Sequence, residues 1–267
     1  MRLILDEKHL LNRALNEGFV YKKPSVTIRI LAKHYLSKGM NNEQVYDIIS
    51  SFLSKNYADY IPMNWHTSIK GIINKLIKSK DYSLVYIENV KITKNEISKI
   101  KLINDIELER LAFTLLVYAK IYNQINDNSS NWVNERHGHI FKDAKISAED
   151  IKQGKMIYEL NKAGLIFIPL KNESINIKVE FVDNSFDESD VAITINNFKN
   201  FVYEYYKYFD SSKFIYCSEC GKLIKPTNNR QKYCSTCWKE KERENNRKYA
   251  RESMRRIRNV KGLENPF

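Results

Sequence analysis

All four cysteines of the 267-residue chain lie near its C-terminus, in two Cys-x-x-Cys pairs. The pairs are Cys217 with Cys220 and Cys234 with Cys237, and thirteen residues separate them. Each pair directs two thiolates at one centre, so together they supply the four tetrahedral sulfur ligands that Zn²⁺ takes in structural sites. The spacing therefore predicts one zinc ion held by these cysteines.

The same cysteines could form two disulfides or a redox dithiol, and an iron centre would also use them. The sequence lacks the pattern of a signal peptide, and its cysteines form a single cluster. We therefore expect a reduced, cytoplasmic protein, which favours a metal over disulfides.

Candidate catalytic residues are few. His137 and His139, with Glu135 and Asp143 nearby, could imitate a metal or nuclease centre. Nucleases built on treble-clef zinc folds place one histidine in the hairpin and another on the helix, but residues 221–261 contain none. No glycine-rich phosphate loop, Gly-x-Ser-x-Gly or His-Glu-x-x-His motif occurs. We therefore predict a protein that is not an enzyme and takes no small-molecule substrate.

Positive charge is concentrated around and after the cysteines. Residues 211–267 contain fifteen Lys or Arg against six Glu, which accounts for nine of the chain's net twelve positive charges. Residues 239–261 contain no Pro or Gly and predict one long helix. Cys234 and Cys237 would lie at its first turn, after a hairpin over 222–233. This order predicts a treble-clef or zinc-ribbon-like module.

A charged helix is often only a solvated surface on which Glu pairs with Lys or Arg three or four positions away. Beyond Glu252, however, the Arg-rich sequence has no acidic neighbour until Glu264. Arg binds phosphate through two parallel hydrogen bonds, and several such contacts give salt-dependent affinity. We therefore predict nucleic-acid contacts in this region from Arg230, Arg243, Arg247, Lys248, Arg251, Arg255, Arg256 and Arg258.

The rest of the chain predicts a mainly helical α+β protein. Residues 1–92 form a helical N-terminal domain, with helix caps at Asp6, Ser25, Asn41 and Asn64. Residues 84–92 fit either a strand or a linker. No apolar run approaches the roughly 18 residues that a membrane span needs, so we expect no membrane association.

Residues 93–210 predict a second domain with the element order of a winged helix-turn-helix. A capping box begins at Thr93, followed by a strong helix over 105–125 and a short helix around 140–144. A helix over 148–163, capped by Ser147, then precedes two strands, 165–170 and 175–182.

The 148–163 helix would be the recognition helix of that domain. Its inward residues are predicted to be Ile151, Ile157 and Leu160. The predicted contacts with the major groove and phosphates are Lys152, Gln153, Lys155 and, at the wing tip, Lys171. The alternative is a structural or dimerisation domain.

An aromatic helix is predicted over 198–209, with Asn197 as its cap. Its rings could stack on unpaired bases, but aromatic residues at helical spacing more often pack in a core or against a partner.

The order of helical region, winged helix and "Arg-Gln-Lys-Tyr-Cys-Ser-Thr-Cys" before a basic helix resembles phage and prophage winged-helix plus zinc-finger proteins of low-GC Gram-positive bacteria. Residues 105–182 also resemble the winged-helix domains of phage replication-initiation proteins. The resemblance implies a mobile-element origin and transfers no catalytic residue.

These observations predict a zinc-containing DNA-binding protein that acts in replication initiation or transcription control. Two alternatives stay open. The chain could be an adaptor that docks on a host or defence complex, with its basic helix on an acidic protein surface. It could also bind RNA, whose grooves suit an Arg-rich helix.

Overall fold

A computed structural model describes residues 5–126, 129–169 and 176–263, the last nine of these by their backbone alone. The chain is an α+β protein dominated by helices and forms two compact units, Arg2–Glu88 and Asn89–Phe267. The described helices include none that is long and apolar enough to cross a membrane.

The N-terminal unit is a group of four helices around an aliphatic core. These are α1 (Glu7–Glu17), α2 (Pro24–Ser37), α3 (Asn42–Asn56) and α4 (Pro62–Ser79). The helices pack through fully buried residues on each inward face, among them Ile28, Ile49, Leu53, Ile69 and Ile73. Burial of such side chains contributes about 1.5–3 kcal/mol each, which holds the helices together.

Two of the four predicted caps in this unit are confirmed. The Asp6 carboxylate accepts the backbone N–H of His9 at 2.8 Å. Asn41 and Gln44 form a reciprocal capping box. The predicted caps at Ser25 and Asn64 are wrong, because α2 and α4 begin at prolines. Proline suits the first helical position, where its fixed φ fits the helix and its missing N–H costs nothing.

The C-terminal unit is built around α6 (Ile106–Ile125), whose residues 111–121 are all buried. Strands β1 (Val90–Thr93) and β5 (Val191–Ile195) form a two-stranded antiparallel sheet. Strand β1 and helix α5 (Lys94–Lys101) both pack against α6. The C-terminal unit begins at Asn89, a few residues before the boundary predicted between residues 92 and 93. The predicted capping box at Thr93 is confirmed.

Among its described residues, the middle of this unit contains two helices and a three-stranded antiparallel sheet of order β2-β4-β3. The elements are β2 (Trp132–Val133), α7 (His137–Asp143), α8 (Asp150–Lys162), β3 (Ile166–Phe167) and β4 (Ile177–Val179). The strands are shorter than predicted, and the predicted wing tip lies outside the described residues.

Two predictions about α8 are wrong. The helix starts with a bond from the Gln153 N–H to the Glu149 carbonyl, so Ser147 lies outside it. Ile151 does not point inward, since it is 88% exposed. It lies about two and a half turns before buried Leu160, which places it on the opposite face of the helix.

The remaining elements belong to the same unit. They are α9 (Val202–Phe209), β6 (Ile215–Tyr216), β7 (Leu223–Ile224) and α10 (Ser235–Leu263). The hairpin is formed by β6 and β7, so it spans the first cysteine pair rather than residues 222–233 as predicted. The long basic helix is confirmed and starts just after Cys234.

The aromatic helix α9 is shorter than predicted and is part of the core. It begins at Val202, after a turn in which Asn200 has φ +61°, and Phe201 and Tyr205 are each 1% exposed. The Tyr205 hydroxyl donates to the Glu109 carboxylate at 2.8 Å, and the Lys101 ammonium lies 3.1 Å from that carboxylate. Burial and the bond to Glu109 raise the pKa of Tyr205, so its phenol stays protonated.

We predict that Tyr205→Phe destabilises the protein by about 1–3 kcal/mol, because it removes a buried hydrogen bond to a carboxylate. Tyr208→Phe is the matched control on the same helix, since Tyr208 is 45% exposed. Urea unfolding of both variants measures the difference. Equal stability of the two would show that the Glu109 contact contributes nothing.

Candidate metal centre and basic helix

The four cysteines converge on one point. Their sulfur atoms all lie within 4.8 Å of one another, and those of Cys220 and Cys234 are 3.8 Å apart. A tetrahedral site with Zn–S bonds of about 2.3 Å has sulfurs about 3.8 Å apart. None of the four forms a disulfide. The donor set and its geometry therefore fit a tetrahedral metal ion.

The first pair is held by the β6–β7 hairpin. The Cys217 N–H donates to the Lys222 carbonyl, and the Gly221 N–H donates to the Cys217 carbonyl, both at 2.9 Å. Gly221 has φ +64°, a conformation that favours glycine, and an added Cβ would lie 3.3 Å from the Asn197 amide nitrogen. The turn that follows Cys220 therefore depends on glycine at this position.

Backbone N–H groups support the thiolates. The Cys234 N–H donates to the Cys217 sulfur at 3.2 Å, and the Cys237 N–H to the Cys234 sulfur at 3.5 Å. Burial opposes ionisation of Cys217, but N–H bonds from Cys234, Cys220 and Glu219 outweigh it and lower its pKa to about 6. Because a metal binds the thiolate, these N–H bonds favour the form of Cys217 that can serve as a ligand.

The metal module is fastened to the core of its unit through side-chain amides. Asn197 donates to the Cys220 carbonyl at 3.0 Å, and Asn200 donates to the Leu223 carbonyl at 3.2 Å. The Tyr216 hydroxyl donates to Glu204 on α9 at 3.0 Å. Sequence reasoning missed these contacts, because an Asn at a loop carries no signal for a partner more than twenty residues away.

Helix α10 extends from the second cysteine pair into solvent. Every residue from 242 to 254 is exposed, and this stretch contains the predicted contacts Arg243, Arg247, Lys248 and Arg251. Among the described side chains of α10, the one ion pair joins Lys241 to Glu219 at 2.7 Å. The helical Glu residues therefore do not neutralise these cations by direct pairing. The same helix includes Arg255, Arg256 and Arg258, which belong to the residues described by their backbone alone.

Two of the predicted contacts on α8, in contrast, already bond to other residues of the chain. Lys152 pairs with Glu107 at 2.8 Å, and the Gln153 amide donates to the Ala148 carbonyl at 2.7 Å. Lys155 is exposed, and Lys171 lies outside the described residues. Among the described residues of this group, Lys155 is therefore the cation that remains available to bind another molecule.

Comparison with known proteins provides no relative for this site. No family model matches the chain, and neither does any curated protein or solved structure. The resemblance to phage proteins therefore stays a prediction from the sequence.

We predict about one bound metal ion per chain, lost in Cys220→Ser and in Cys237→Ser because each removes one ligand. Ser218→Ala, between the first two ligands, should keep the metal, since its hydroxyl bonds to the Lys232 carbonyl instead. Elemental analysis of protein purified under reducing conditions measures the content. Protein free of any metal would contradict the assignment.

Proposed function

We propose that this chain is a DNA-binding protein that grips the phosphate backbone with α10 and carries a structural zinc ion at the base of that helix. The observation that carries the proposal is the exposed stretch 242–254, whose Arg and Lys side chains are free of acidic partners within the described residues. Guanidinium groups are weakly hydrated, so removing water from them costs little free energy. A helix that carries several of them can contact several phosphates at once.

Zinc is proposed because four thiolates in a tetrahedral arrangement form its preferred structural site. When bound, the ion contributes folding energy rather than chemistry, since its four positions are filled by protein ligands. A site of this type supports a binding role and not catalysis.

The middle of the C-terminal unit supports a second DNA contact. Helices α6, α7 and α8, followed by the antiparallel pair β3 and β4, occur in the order of a winged helix, and we propose that fold within residues 93–210. In such domains the helix before the wing enters the major groove. We further propose that the biological setting is phage or prophage replication initiation or transcription control, as the sequence resemblance implies.

We predict that replacing Arg243, Arg247, Lys248 and Arg251 with Gln weakens binding to all duplex sequences. The slope of log K against log salt should become shallower by about 0.9 for each phosphate that the variant no longer neutralises. Electrophoretic shift or fluorescence anisotropy at several salt concentrations measures both quantities.

The matched control removes the same charge from the N-terminal unit, through Lys55, Lys70, Lys75 and Lys78, which are exposed. If position on α10 matters, the control should keep the wild-type slope. Equal losses of affinity in the two variants would mean that net charge alone drives binding. An unchanged slope in the α10 variant would contradict the proposal.

A second function is supported by the outer face of α8. Ile151 is 88% exposed and Tyr158 is 63% exposed, one on each side of Lys155. Two large exposed side chains that share one helix face, two turns apart, suit a protein contact, and Lys152 and Gln153 are already engaged within the chain. In this alternative α8 binds a protein, or a second copy of the chain, while α10 binds nucleic acid.

A comparison of two sets of α8 variants distinguishes the two proposed roles of this helix. If α8 reads DNA, replacing Lys152, Gln153 and Lys155 with Ala should cost about 1–3 kcal/mol for each base-specific hydrogen-bonded pair that is removed. If α8 docks a second copy, Ile151→Ser with Tyr158→Ser should abolish a dimer seen by sedimentation and leave DNA affinity per chain unchanged. RNA competitors in the same titrations test the RNA-binding alternative.

A further inference from the structure

A cavity of about 670 Å³ lies beside the metal module, between the loop that precedes Cys234 and the first turns of α10. Its walls include an exposed indole, Trp238, and two cations, Arg230 and Lys232. Neither the metal site nor the α10 phosphate surface uses it.

Trp238 is held in an exposed position. It is 58% exposed, it directly follows the ligand Cys237, and its backbone N–H donates to the Cys234 carbonyl at 2.9 Å. A large ring left in water next to a cavity marks a contact site, since its burial by a partner is worth several times that of a small side chain. Cys234 and Cys237, which precede Trp238 in this turn, fix the backbone from which the indole projects.

The loop opposite Trp238 is already ordered by its own hydrogen bonds. The Gln231 amide oxygen accepts the Thr227 N–H at 2.8 Å, and its nitrogen donates to the Tyr233 carbonyl at 3.1 Å. The Asn228 side chain accepts the Arg230 N–H at 3.0 Å. Binding therefore requires little ordering of the loop backbone, which favours affinity.

Two cations and one aromatic ring of this cavity remain accessible, and these are the groups that bind the phosphate and the base of a nucleotide. Arg230 and Lys232 are exposed and form no ion pair with any described residue. Tyr233 is half-buried and has the Lys241 ammonium 5.0 Å from its ring centre, so one of its faces is taken. Trp238 is thus the aromatic ring of this cavity that is open to stacking.

We propose that this cavity binds an unpaired base of single-stranded DNA, with the base stacked on Trp238 and the adjoining phosphates on Arg230 and Lys232. The inference rests on the proposed nucleic-acid binding and deepens it, because paired bases keep their faces inside the duplex and cannot stack on the indole. Aromatic stacking accepts any base, so this contact adds affinity for opened DNA without sequence preference. An acidic peptide would use the two cations but not the indole.

The first test observes Trp238 directly. The chain contains three tryptophans, so Trp65→Phe with Trp132→Phe leaves Trp238 as the sole indole. We expect its fluorescence to be quenched by oligo-dT and not by an abasic strand of equal length, which keeps the phosphates and lacks the bases. An oligo-rU arm shows whether RNA also fits.

The second test measures affinity. Trp238→Ala should weaken binding of oligo-dT about 5- to 100-fold, as expected when one stacked base is no longer held, and should leave duplex and abasic strands nearly unaffected. Trp238→Phe should recover part of that affinity. Tyr249→Ala is the matched control, since Tyr249 is 68% exposed on the same helix but does not line the cavity. Metal content must equal wild type in each variant, because Trp238 adjoins a ligand.

The outcomes distinguish this inference from the proposed function. Duplex binding with a normal salt slope, but no quenching by oligo-dT, would overturn the stacking site alone. Equal weakening for oligo-dT and abasic strands in Trp238→Ala would do the same and give Trp238 a structural role. Absence of binding to any oligonucleotide would overturn both. Binding of poly-Glu and of no oligonucleotide would make the cavity a protein-docking site.

Discussion

The module after Asp210 has very little apolar surface of its own to bury. Its buried cluster consists of Ile224 and three of the cysteines, with Ile215, Cys220 and Tyr233 packed against it. A core of this size cannot order about fifty residues, because each ordered residue costs on the order of 1 kcal/mol in backbone entropy. Convergence of four thiolates on one ion is therefore the constraint that this region depends on.

That constraint positions the elements after Asp210 that are proposed to bind DNA. The second cysteine pair lies at the start of α10, so the metal fixes the origin of the basic helix and the place of Trp238. The first pair is joined to the core through the amides of Asn197 and Asn200. In this way a solvent-exposed helix with few contacts of its own is anchored to a well-packed unit, in which α6 is buried along most of its length.

Electrostatics divide the chain into two parts. The first 210 residues are close to neutral overall, and several of their cations are held in pairs, as Lys152 is with Glu107 and Lys120 with the buried Glu96. Apart from Lys241, which pairs with Glu219, the described cations of α10 lack such pairing. Long-range attraction to a polyanion therefore comes mainly from the C-terminal region, while the elements before it provide packing and, through α8, a surface of mixed apolar and polar character.

The sequence by itself determined the features that arise from neighbouring residues. Paired cysteine spacing identified the ligands, the caps at Asp6, Asn41 and Thr93 placed helix starts, and charge composition placed the basic helix. Tertiary structure decided what depends on distant partners. Ile151 faces outward because the core takes the opposite face of α8, and Asn197 serves the cysteine hairpin rather than capping α9. Local hydrogen bonds are encoded within a few residues, whereas the choice of buried face and long-range partner is set by packing of the whole unit.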